Sequence, residues 1–383
     1  MITADQPMAE FDDLDREWLR TRPGIKWARA DEGELAAWVA DMDFPIPSVV
    51  AAALSSVIER GDLGYPDLRH GPRLEPLFLE RMTRRHGVSL APGRVREFDD
   101  VLNAVQAVLS VSVEPGAAVA IHTPTYPPFL DTIARMGYQL RPIPFERTSE
   151  GWHFDVAEAA ATVASSAALI LVNPHNPTGR VLRHHELEPM LTAATASHTL
   201  VIADEVHADL THPGAQHTPA SSLHPATVTV TSATKSHNLA GIRCAVAHIG
   251  SGAVWEGLAT RPEHLFGAVS NLSIAATMAA WSEEGDGWLE SLTSVLTRNR
   301  TLVAEGLDSR FDLVTPEATY LAWIDTARTG ISRPAAETIR SGTGLILTPG
   351  EDFGAGGSGF VRLNFATSVS VLTDAIERMN AAL

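Results

Sequence analysis

Lysine is scarce in this chain, and that scarcity directs attention to Lys235. The 383 residues include 29 lysines and arginines together, but only two of these, Lys26 and Lys235, are lysines. A neutral ε-amine can condense with a carbonyl, whereas a guanidinium stays protonated and unreactive. Lys235 is therefore a candidate for covalent chemistry, although most lysines in most proteins are surface charges.

Two hydroxyl side chains and an arginine stand near Lys235 at spacings that suit phosphate binding. Ser232 and Thr234 precede the lysine in the run SATK, and Arg243 follows it eight positions later (243 minus 235). Such groups hold a phosphate dianion through charge-assisted hydrogen bonds, and a lysine forms a Schiff base with an aldehyde. The combination predicts a site for an aldehyde cofactor that carries a phosphate.

A loop and a carboxylate upstream extend this pattern. The run NPHNPTG at 173–179 contains Asn176, and Asp204 ends the apolar run TLVIAD. In isolation, an aspartate at the end of a buried strand is as well explained as a helix cap. Because Asp204 lies between that loop and a lysine 31 residues later (235 minus 204), it is a candidate to pair with a pyridine nitrogen. Such a pair keeps the nitrogen protonated, which makes the ring an electron sink.

Five short apolar runs predict the elements that position these residues. Between about residues 118 and 250 they read AAVAIH, AALILVN, TLVIADE, TVTVTS and CAVAHIG. Strands that are apolar on both faces are typical of parallel sheets covered by helices. Ligands bind beyond the carboxyl ends of such strands. One shared site is therefore predicted from four polar run endings, at His122, Asn173, Asp204 and Ser232.

The flanking segments indicate an α/β protein with a second, smaller domain. The run PSVVAAALSSVIERG has helical spacing, with Pro47 at its entry and Gly61 as its stop. A long helical stretch near 273–308 gives way to strands in TYLAWIDT and FVRLNFA. We predict a large domain at 46–275 with a mostly parallel sheet, a small domain at 276–383, and an amino-terminal segment at 1–45 that joins the small domain.

Bulk composition excludes several classes of function. A net charge of −17 and a pI near 5.3 argue against a nucleic-acid partner, because phosphate binding needs clustered cations. The single cysteine excludes an intramolecular disulfide, and no apolar run approaches the roughly 20 residues that cross a bilayer. The amino terminus lacks the pattern of a signal peptide. We expect a cytoplasmic protein without a membrane role, and we predict no metal site.

Taken together, the motifs resemble those of fold-type I pyridoxal phosphate (PLP) enzymes, the aspartate aminotransferase superfamily. The resemblance spans nearly the whole chain and is strongest to cystathionine β-lyases and other carbon–sulfur lyases of the MalY/PatB type. The motifs that carry it are KW at 26–27, WVADMDF at 38–44, GY at 64–65, HTPTY at 122–126, NPHNPTG at 173–179, ADEVHAD at 203–209, SATKSHN at 232–238 and FVRLNF at 360–365.

The resemblance implies a role for each matching residue around the cofactor. Lys235 would hold PLP as a Schiff base and, once released, remove the Cα proton of the substrate. Asp204 would pair with the pyridine nitrogen, and Asn176 would hydrogen-bond the ring oxygen. His207 stands near that oxygen, where aminotransferases usually have a tyrosine. The phosphate would be bound by Ser232, Thr234 and Arg243.

Further residues would contact the ring, the substrate or a second subunit. Tyr126 would stack on the pyridine ring and is a catalytic candidate with Lys235. Arg362 would clamp the substrate carboxylate, because an arginine in an apolar strand is costly to bury without an anion. Asn176 is also assigned to substrate binding. Tyr65 would reach the phosphate of the neighbouring subunit, which implies a homodimer with active sites at the interface.

Two positions in the amino-terminal motifs are less defined. Asp41 is a candidate for substrate binding at the mouth of the site, with a strand-end or turn role as an equal alternative. Lys26 falls in a family signature, near the segment that covers the active-site mouth, and no chemistry is assigned to it.

One stretch departs from the family pattern. Relatives usually present Gly or Ser before two apolar residues, whose amides at a helix amino terminus bind the phosphate. This chain has Asp99 and Asp100 before Val101 and Leu102. The amides of Val101 and Leu102 remain predicted phosphate ligands. An aspartate there is a good helix cap, but its charge would repel a phosphate unless the side chain turns away.

Three functions are consistent with these motifs. The leading hypothesis is α,β-elimination from a sulfur-containing amino acid, which releases a thiol, pyruvate and ammonia. The alternative is transamination, or another PLP outcome such as oxidation or decarboxylation, because the cofactor motifs are shared by all of these reactions. The third is a regulatory binding protein on the same fold, which the apparently complete set of site residues disfavours.

Overall fold

A computed structural model describes residues 10–67 and 73–383. The strands are β1 (Leu35–Ala36), β2 (Val95–Phe98), β3 (Ala118–Thr123), β4 (Gln139–Pro144), β5 (Glu146–Thr148), β6 (Gly151–His153), β7 (Ala168–Val172), β8 (Leu200–Asp204), β9 (Val228–Thr231), β10 (Ala245–Ile249), β11 (Asp312–Leu313), β12 (Leu321–Asp325), β13 (Leu345–Ile346), β14 (Thr348–Pro349) and β15 (Phe360–Asn364). The helices include α1 (Arg16–Thr21), α2 (Ile25–Ala28), α3 (Ser48–Glu59), α4 (Leu74–His86), α5 (Val101–Ser112), α6 (Pro127–Arg135), α7 (Val156–Ala164), α8 (His184–Ser197), α9 (Ala233–Ser236), α10 (Gly252–Ala259), α11 (Asn271–Ala280), α12 (Glu283–Gly306), α13 (Ala335–Thr343) and α14 (Val369–Ala381).

Seven of the described strands form the central sheet, in the order β2-β10-β9-β8-β7-β3-β4. The five apolar runs of the sequence are the strands β3, β7, β8, β9 and β10, and the predicted mostly parallel α/β fold is confirmed. The prediction of a parallel strand is wrong for β10, which runs antiparallel to both β9 and β2. The connection from β9 to β10 contains α9, a single turn that is too short to carry the chain back along the sheet for a parallel crossover.

Both faces of the central sheet are buried at the interior strand β7. Every residue of β7 is buried, and its side chains alternate between two apolar clusters. Ile170 lies in the cluster that contains Val105 of α5, whereas Leu169 lies in the cluster that contains Leu187 of α8. This period-two alternation within a wholly apolar run is the expected behaviour of a strand covered by helices on both sides. This alternation sets the direction in which the chain leaves β7 toward the loop that contains Asn173 and Asn176.

A second sheet lies in the carboxyl-terminal part of the chain. It is antiparallel, with the order β11-β12-β15-β14. The amino-terminal strand β1 pairs in parallel with β13, and Trp27 and Phe44 share an apolar cluster with Leu289 and Leu363. The amino-terminal segment is therefore packed on elements from the end of the chain. The domain boundaries drawn at 45/46 and 275/276 remain predictions.

The helical stretch predicted near 273–308 consists of two helices, α11 and α12. Trp281 and Ser282 separate them, and the Ser282 hydroxyl accepts a hydrogen bond from the backbone of Gly285 at 3.2 Å. A serine cap followed by acidic residues in the first turn stabilises the start of a new helix. Among the described residues, no helix has the length and apolar composition needed to cross a lipid bilayer.

Candidate active site

A cavity of about 250 Å³ opens where β7 and β8 end and α5 begins. Strand-end residues Val172 and Asp204 contribute to its wall, as expected for ligand sites in open α/β sheets. The lining residues are Ala40, Asp100, Val101, Leu102, Tyr126, Phe129, Val172, Asn176, Asp204, Val206, His207, Thr234, Lys235, Ala240 and Arg243. Most of the residues predicted from the sequence therefore meet in one place.

Lys235 lies on the single-turn helix α9, directly after β9. The hydroxyl of Ser232 caps this turn by accepting a hydrogen bond from the Thr234 backbone at 3.1 Å. Nζ of Lys235 donates to the backbone carbonyl of Ala40 at 2.7 Å. Burial lowers the pKa of Lys235 to about 8, even though the negative charges of Asp41 and Asp204 favour its protonated form. A substantial neutral fraction near this pH makes the amine a competent nucleophile and base.

Asp204 faces the cavity from the end of β8 with few partners for its charge. Its Oδ1 accepts from the backbone of Val206 at 3.1 Å, and the residue is 5% exposed. Burial raises the pKa of Asp204 to about 7. A cationic hydrogen-bond donor placed against this carboxylate would stabilise its ionised form. A protonated pyridine nitrogen is a donor of this kind.

Asn176 and Arg362 come from different sheets and meet at the cavity. Asn176 lies in the loop after β7, and its Oδ1 accepts from Nη1 of Arg362 on β15 at 3.0 Å. Nη2 of Arg362 donates to the carbonyl of Trp38 at 3.1 Å and to Oγ1 of Thr348 at 3.3 Å. Because Oδ1 is occupied, the amide nitrogen of Asn176 remains as a donor toward the cavity.

The guanidinium of Arg362 is buried without a counter-ion. It is 4% exposed, lies 4.9 Å from the ring centroid of Phe353, and no carboxylate within residues 10–67 and 73–383 pairs with it. Its Nε has no hydrogen-bond partner, and burial lowers its pKa to about 10. An unpaired buried cation is stabilised by an incoming anion. The geometry therefore suits the carboxylate of an amino acid.

The opposite end of the cavity has donors for a phosphate. Val101 and Leu102 begin α5, and their amides belong to the first turn, whose N–H groups have no partner within the helix. Thr234 and Arg243 complete this group. Arg243 forms an ion pair with Asp100, whose Oδ1 also caps α5 by accepting from Asn103 at 2.6 Å.

Two predicted cofactor residues lie outside the cavity wall. The hydroxyl of Ser232 donates to the carbonyl of Cys244 and caps α9, so its hydrogen-bonding capacity is used within the fold. The predicted direct contact of Ser232 with the phosphate would require its hydroxyl hydrogen to turn away from Cys244, and it remains a prediction. Tyr65 is fully exposed and remote from the cavity of its own chain. Its predicted contact with a neighbouring subunit remains a prediction.

Tyr126, His207 and Asp41 surround the reactive region in different ways. Tyr126 is 38% exposed, immediately precedes α6, and contacts Phe129 edge to face at 5.7 Å between centroids. Burial, with Lys235 nearby, lowers the pKa of His207 to about 3, so its ring is neutral, and Nδ1 lacks a partner. Asp41 is not part of the cavity wall, but its charge acts on Lys235.

Two other polar strand endings point away from the cavity. His122 is buried in an aromatic cluster, stacked on Phe145 at 4.9 Å between centroids. Asn173 uses Oδ1 to accept from the backbone of Leu182 at 2.9 Å, which holds the following loop. Of the four polar endings predicted to face one site, Asp204 lines the cavity, whereas Ser232, His122 and Asn173 do not.

The sequence motifs did not reveal how the segment 38–44 completes the site. Its backbone supplies the carbonyls of Trp38 and Ala40, which contact Arg362 and Lys235. The hydroxyl of Tyr320 also donates to the Ala40 carbonyl at 3.0 Å. The WVADMDF motif marked the segment, but backbone acceptors leave no signature in residue type.

Lys26 has a structural role. It is 3% exposed, its Nζ lies 2.9 Å from Oδ1 of Asp43, and it donates to the carbonyl of Asp41 at 3.1 Å. The indole of Trp27 donates to the same Asp43 oxygen at 2.7 Å. The KW motif therefore anchors the segment 38–44 through a buried ion pair.

These residues fit pyridoxal phosphate. The amides of Val101 and Leu102 with Thr234 and Arg243 would bind the phosphate, Asp204 would pair with the pyridine nitrogen, and Lys235 lines the same cavity. Two buried polar atoms nearby have no partner: Nδ1 of His207, which lines the cavity, and Nε of Arg362, whose guanidinium contacts the lining residue Asn176. An aldehyde-bearing, phosphorylated pyridine with an amino-acid substrate would supply complementary groups.

Comparisons with known proteins agree with this geometry. A model of the family described as aminotransferase class I and II matches residues 39–379. The cystathionine β-lyase PatB of Bacillus subtilis is 29% identical, covering 94% of this chain and 96% of that protein. A cystathionine β-lyase of Corynebacterium glutamicum is 29% identical over 96% of this chain and 98% of that protein.

Among solved structures, the PLP-bound C–S lyase of Staphylococcus hominis superposes with a TM-score of 0.89 and 26% identity, covering 97% of this chain and 98% of that one. The superfamily inferred from the motifs is confirmed.

Proposed function

The chain belongs to the aminotransferase class I and II family, and on that premise we propose that it is a PLP-dependent carbon–sulfur lyase. The proposed reaction is α,β-elimination on an amino acid that carries a thiol or thioether at Cβ. The products are the thiol, pyruvate and ammonia. The proposal rests on the family, on relatives described as cystathionine β-lyases, and on the residues of the cavity.

One observation carries the chemical part of the proposal. Lys235, with a pKa of about 8, lines the same cavity as the buried Asp204, and the guanidinium of Arg362, which has no counter-ion among the described residues, contacts the lining residue Asn176. Lys235 provides a base, Asp204 provides a carboxylate for the protonated pyridine nitrogen, and Arg362 provides a binding group for the substrate carboxylate. An enzyme that removes a proton from the Cα of an amino acid needs all three.

Bound PLP supplies an electron sink for the charge that develops at Cα of the substrate. Asp204 would hold the pyridine nitrogen and, as an ionised carboxylate, would keep that nitrogen protonated better than a neutral carboxyl could. Arg362 would bind the substrate carboxylate. Its hydrogen bond to Asn176 also fixes the amide that would donate to the ring oxygen of the cofactor.

Proton movement is assigned to Lys235. Its neutral amine takes the Cα proton, the carbon–sulfur bond breaks, and the thiolate leaves with the bonding electrons. The thiolate then receives a proton. Water hydrolyses the remaining three-carbon fragment to pyruvate and ammonia. The Ala40 carbonyl, which accepts from Nζ at 2.7 Å, orients the amine for this transfer.

The proposal is tested by supplying substrate without any keto acid acceptor. We expect L-cystathionine or S-ethyl-L-cysteine to release pyruvate, measured by coupling to lactate dehydrogenase. L-norleucine is the matched control, because a methylene replaces the sulfur atom and no leaving group remains. Absence of pyruvate from a panel of S-substituted cysteines would exclude the lyase function.

Transamination is the second candidate, favoured by the family to which the chain belongs. It requires the same cofactor contacts and differs in where the Cα proton is returned. It predicts a keto acid from both S-ethyl-L-cysteine and L-norleucine, formed only with an acceptor or once per site. The norleucine control therefore separates the two reactions.

We also propose that the protein acts as a cytoplasmic homodimer. Tyr65 is fully exposed in the single chain, next to other exposed apolar residues such as Leu63. Contribution of its hydroxyl to the phosphate of a neighbouring subunit would account for an exposed tyrosine in the GY motif. A partner surface would also cover this apolar area.

A further inference from the structure

The carboxylate of Asp100 occupies the position at which a helix amino terminus attracts an anion. Oδ1 of Asp100 accepts from the backbone of Asn103 at 2.6 Å, which caps the twelve-residue helix α5. Oδ2 of the same carboxylate pairs with Nη2 of Arg243. One side chain therefore contacts both Arg243, which is assigned to the cofactor phosphate, and the first turn of α5, whose leading amides are assigned to it.

We propose that Asp100 is an internal competitor of the cofactor phosphate, a carboxylate that neutralises Arg243 and the start of α5 until PLP displaces it. The proposal rests on the PLP-dependent function given above. Asp100 and Arg243 both line the cavity, together with the first two residues of α5 and Thr234. A phosphate dianion bound by these donors would also be repelled by the negative charge of Asp100.

The Asp100–Arg243 ion pair has two opposing effects on the binding of PLP, and their sizes differ. The ion pair could help by holding Arg243 in place, but the Arg243 side chain is 62% exposed, and exposed pairs contribute little order or stability. The repulsion between the Asp100 carboxylate and a phosphate dianion that both bind Arg243 is larger, because both charges are desolvated as the cofactor enters. Competition therefore outweighs orientation.

Asp99 provides a matched control for the charge of Asp100. It is the preceding residue in the sequence, and its carboxylate lies against Gly267, not against Arg243. Replacing either aspartate by asparagine removes one negative charge from the same loop. Only the substitution at Asp100 removes a negative charge that contacts a donor assigned to the phosphate.

The test is the dissociation constant of PLP for the cofactor-free protein, measured by equilibrium dialysis for wild type, D100N and D99N. Asparagine and aspartate are equivalent helix caps, so D100N keeps the start of α5. We expect D100N to bind PLP about tenfold more tightly, the scale of one charge-assisted contact. D100S, with another good capping residue, should show the same change, and D99N should match wild type.

Pyridoxal lacks the phosphate, so its affinity shows whether the effect of Asp100 depends on that group. We expect D100N to bind pyridoxal as wild type does. An unchanged or weaker affinity of D100N and D100S for PLP would overturn the inference, as would an equal gain for pyridoxal or for D99N. If the wild-type protein did not bind PLP at all, the proposed function itself would be contradicted. That result is distinct from equal PLP binding by wild type and D100N, which would contradict only the role of Asp100.

Discussion

Two lysines with opposite surroundings define the chemistry at the scale of single residues. Lys26 is paired with Asp43 at 2.9 Å, so its charge has a buried counter-ion. Lys235 has no carboxylate partner within hydrogen-bonding distance among the described residues, and its pKa falls to about 8 through burial. Rarity of lysine pointed to both residues, but only the environment of Lys235 favours a reactive amine.

This contrast gives a prediction about covalent attachment. Borohydride reduction of the holoenzyme should fix the cofactor on Lys235 and nowhere else, as seen by peptide mass mapping. The K235R variant keeps the charge but cannot form the bond, and we expect its rate of pyruvate formation to fall by at least about 10³-fold. The K26R variant should still carry the label. Label retained in K235R would contradict the assignment.

Arg362 gives a second prediction at this scale. A lysine at this position keeps the positive charge but cannot replace the paired guanidinium contacts to Asn176 and a substrate carboxylate. We expect R362K to raise KM for S-ethyl-L-cysteine by about 10- to 100-fold, the equivalent of one or two charge-assisted hydrogen bonds. Binding of PLP should change little. An unaltered KM would show that the substrate carboxylate binds elsewhere.

At the scale of elements, the segment 38–44 joins the two halves of the site. Asn364 on β15 donates to the carbonyls of Val39 and Asp41 at 2.7 and 2.6 Å, and Asn238 donates to that of Phe44 at 2.7 Å. These side chains hold the backbone whose carbonyls contact Lys235 and Arg362. The segment is therefore positioned by asparagines from two different parts of the chain.

The variant N364A tests this positioning, with N299A as its control. Asn299 is also buried and also donates to two backbone carbonyls, at 2.9 and 2.7 Å, but these belong to Phe365 and Thr367. We expect each variant to lose about 1–3 kcal/mol of unfolding free energy. Only N364A should speed hydrogen exchange in 38–44 and lower kcat/KM beyond the loss of stability. Equal effects of both variants on exchange and activity would contradict the positioning role.

Particular elements show what the sequence could and could not predict. The apolar runs located the strands, and the residue types near Lys235 located most of the cavity, because those signals lie in side-chain chemistry. The antiparallel direction of β10 and the break between α11 and α12 depend on short connections and on the Ser282 cap. The acceptors in 38–44 are backbone carbonyls, which residue identity does not encode.

At the scale of the whole molecule, the site draws on two packed regions. Lys235 and Asp204 follow strands of the central sheet, whereas Arg362 lies on β15 of the antiparallel sheet. A shift of one sheet relative to the other would separate the carboxylate receptor from the base. The proposed dimer adds a third contribution, from Tyr65 of a neighbouring subunit.

Subunit complementation tests that contribution. In mixed dimers of K235A and Y65A chains, one of the two sites combines Lys235 of one chain with Tyr65 of the other, so it has both residues. We expect mixing after mild denaturation to restore about a quarter of wild-type activity, from one intact site in the half of dimers that are mixed. Activity that stays at the level of the separate variants would place Tyr65 outside the partner's site.

The stoichiometry of thiol and pyruvate tests the central claim most directly. With S-ethyl-L-cysteine and no acceptor, elimination predicts ethanethiol and pyruvate in equal amounts, continuing for about a hundred turnovers or more per site, as expected for ordinary enzyme rates. L-norleucine and the K235R variant should give neither product in measurable amount. Product formation that stops at one equivalent per site, or a keto acid from both amino acids, would contradict the carbon–sulfur lyase function.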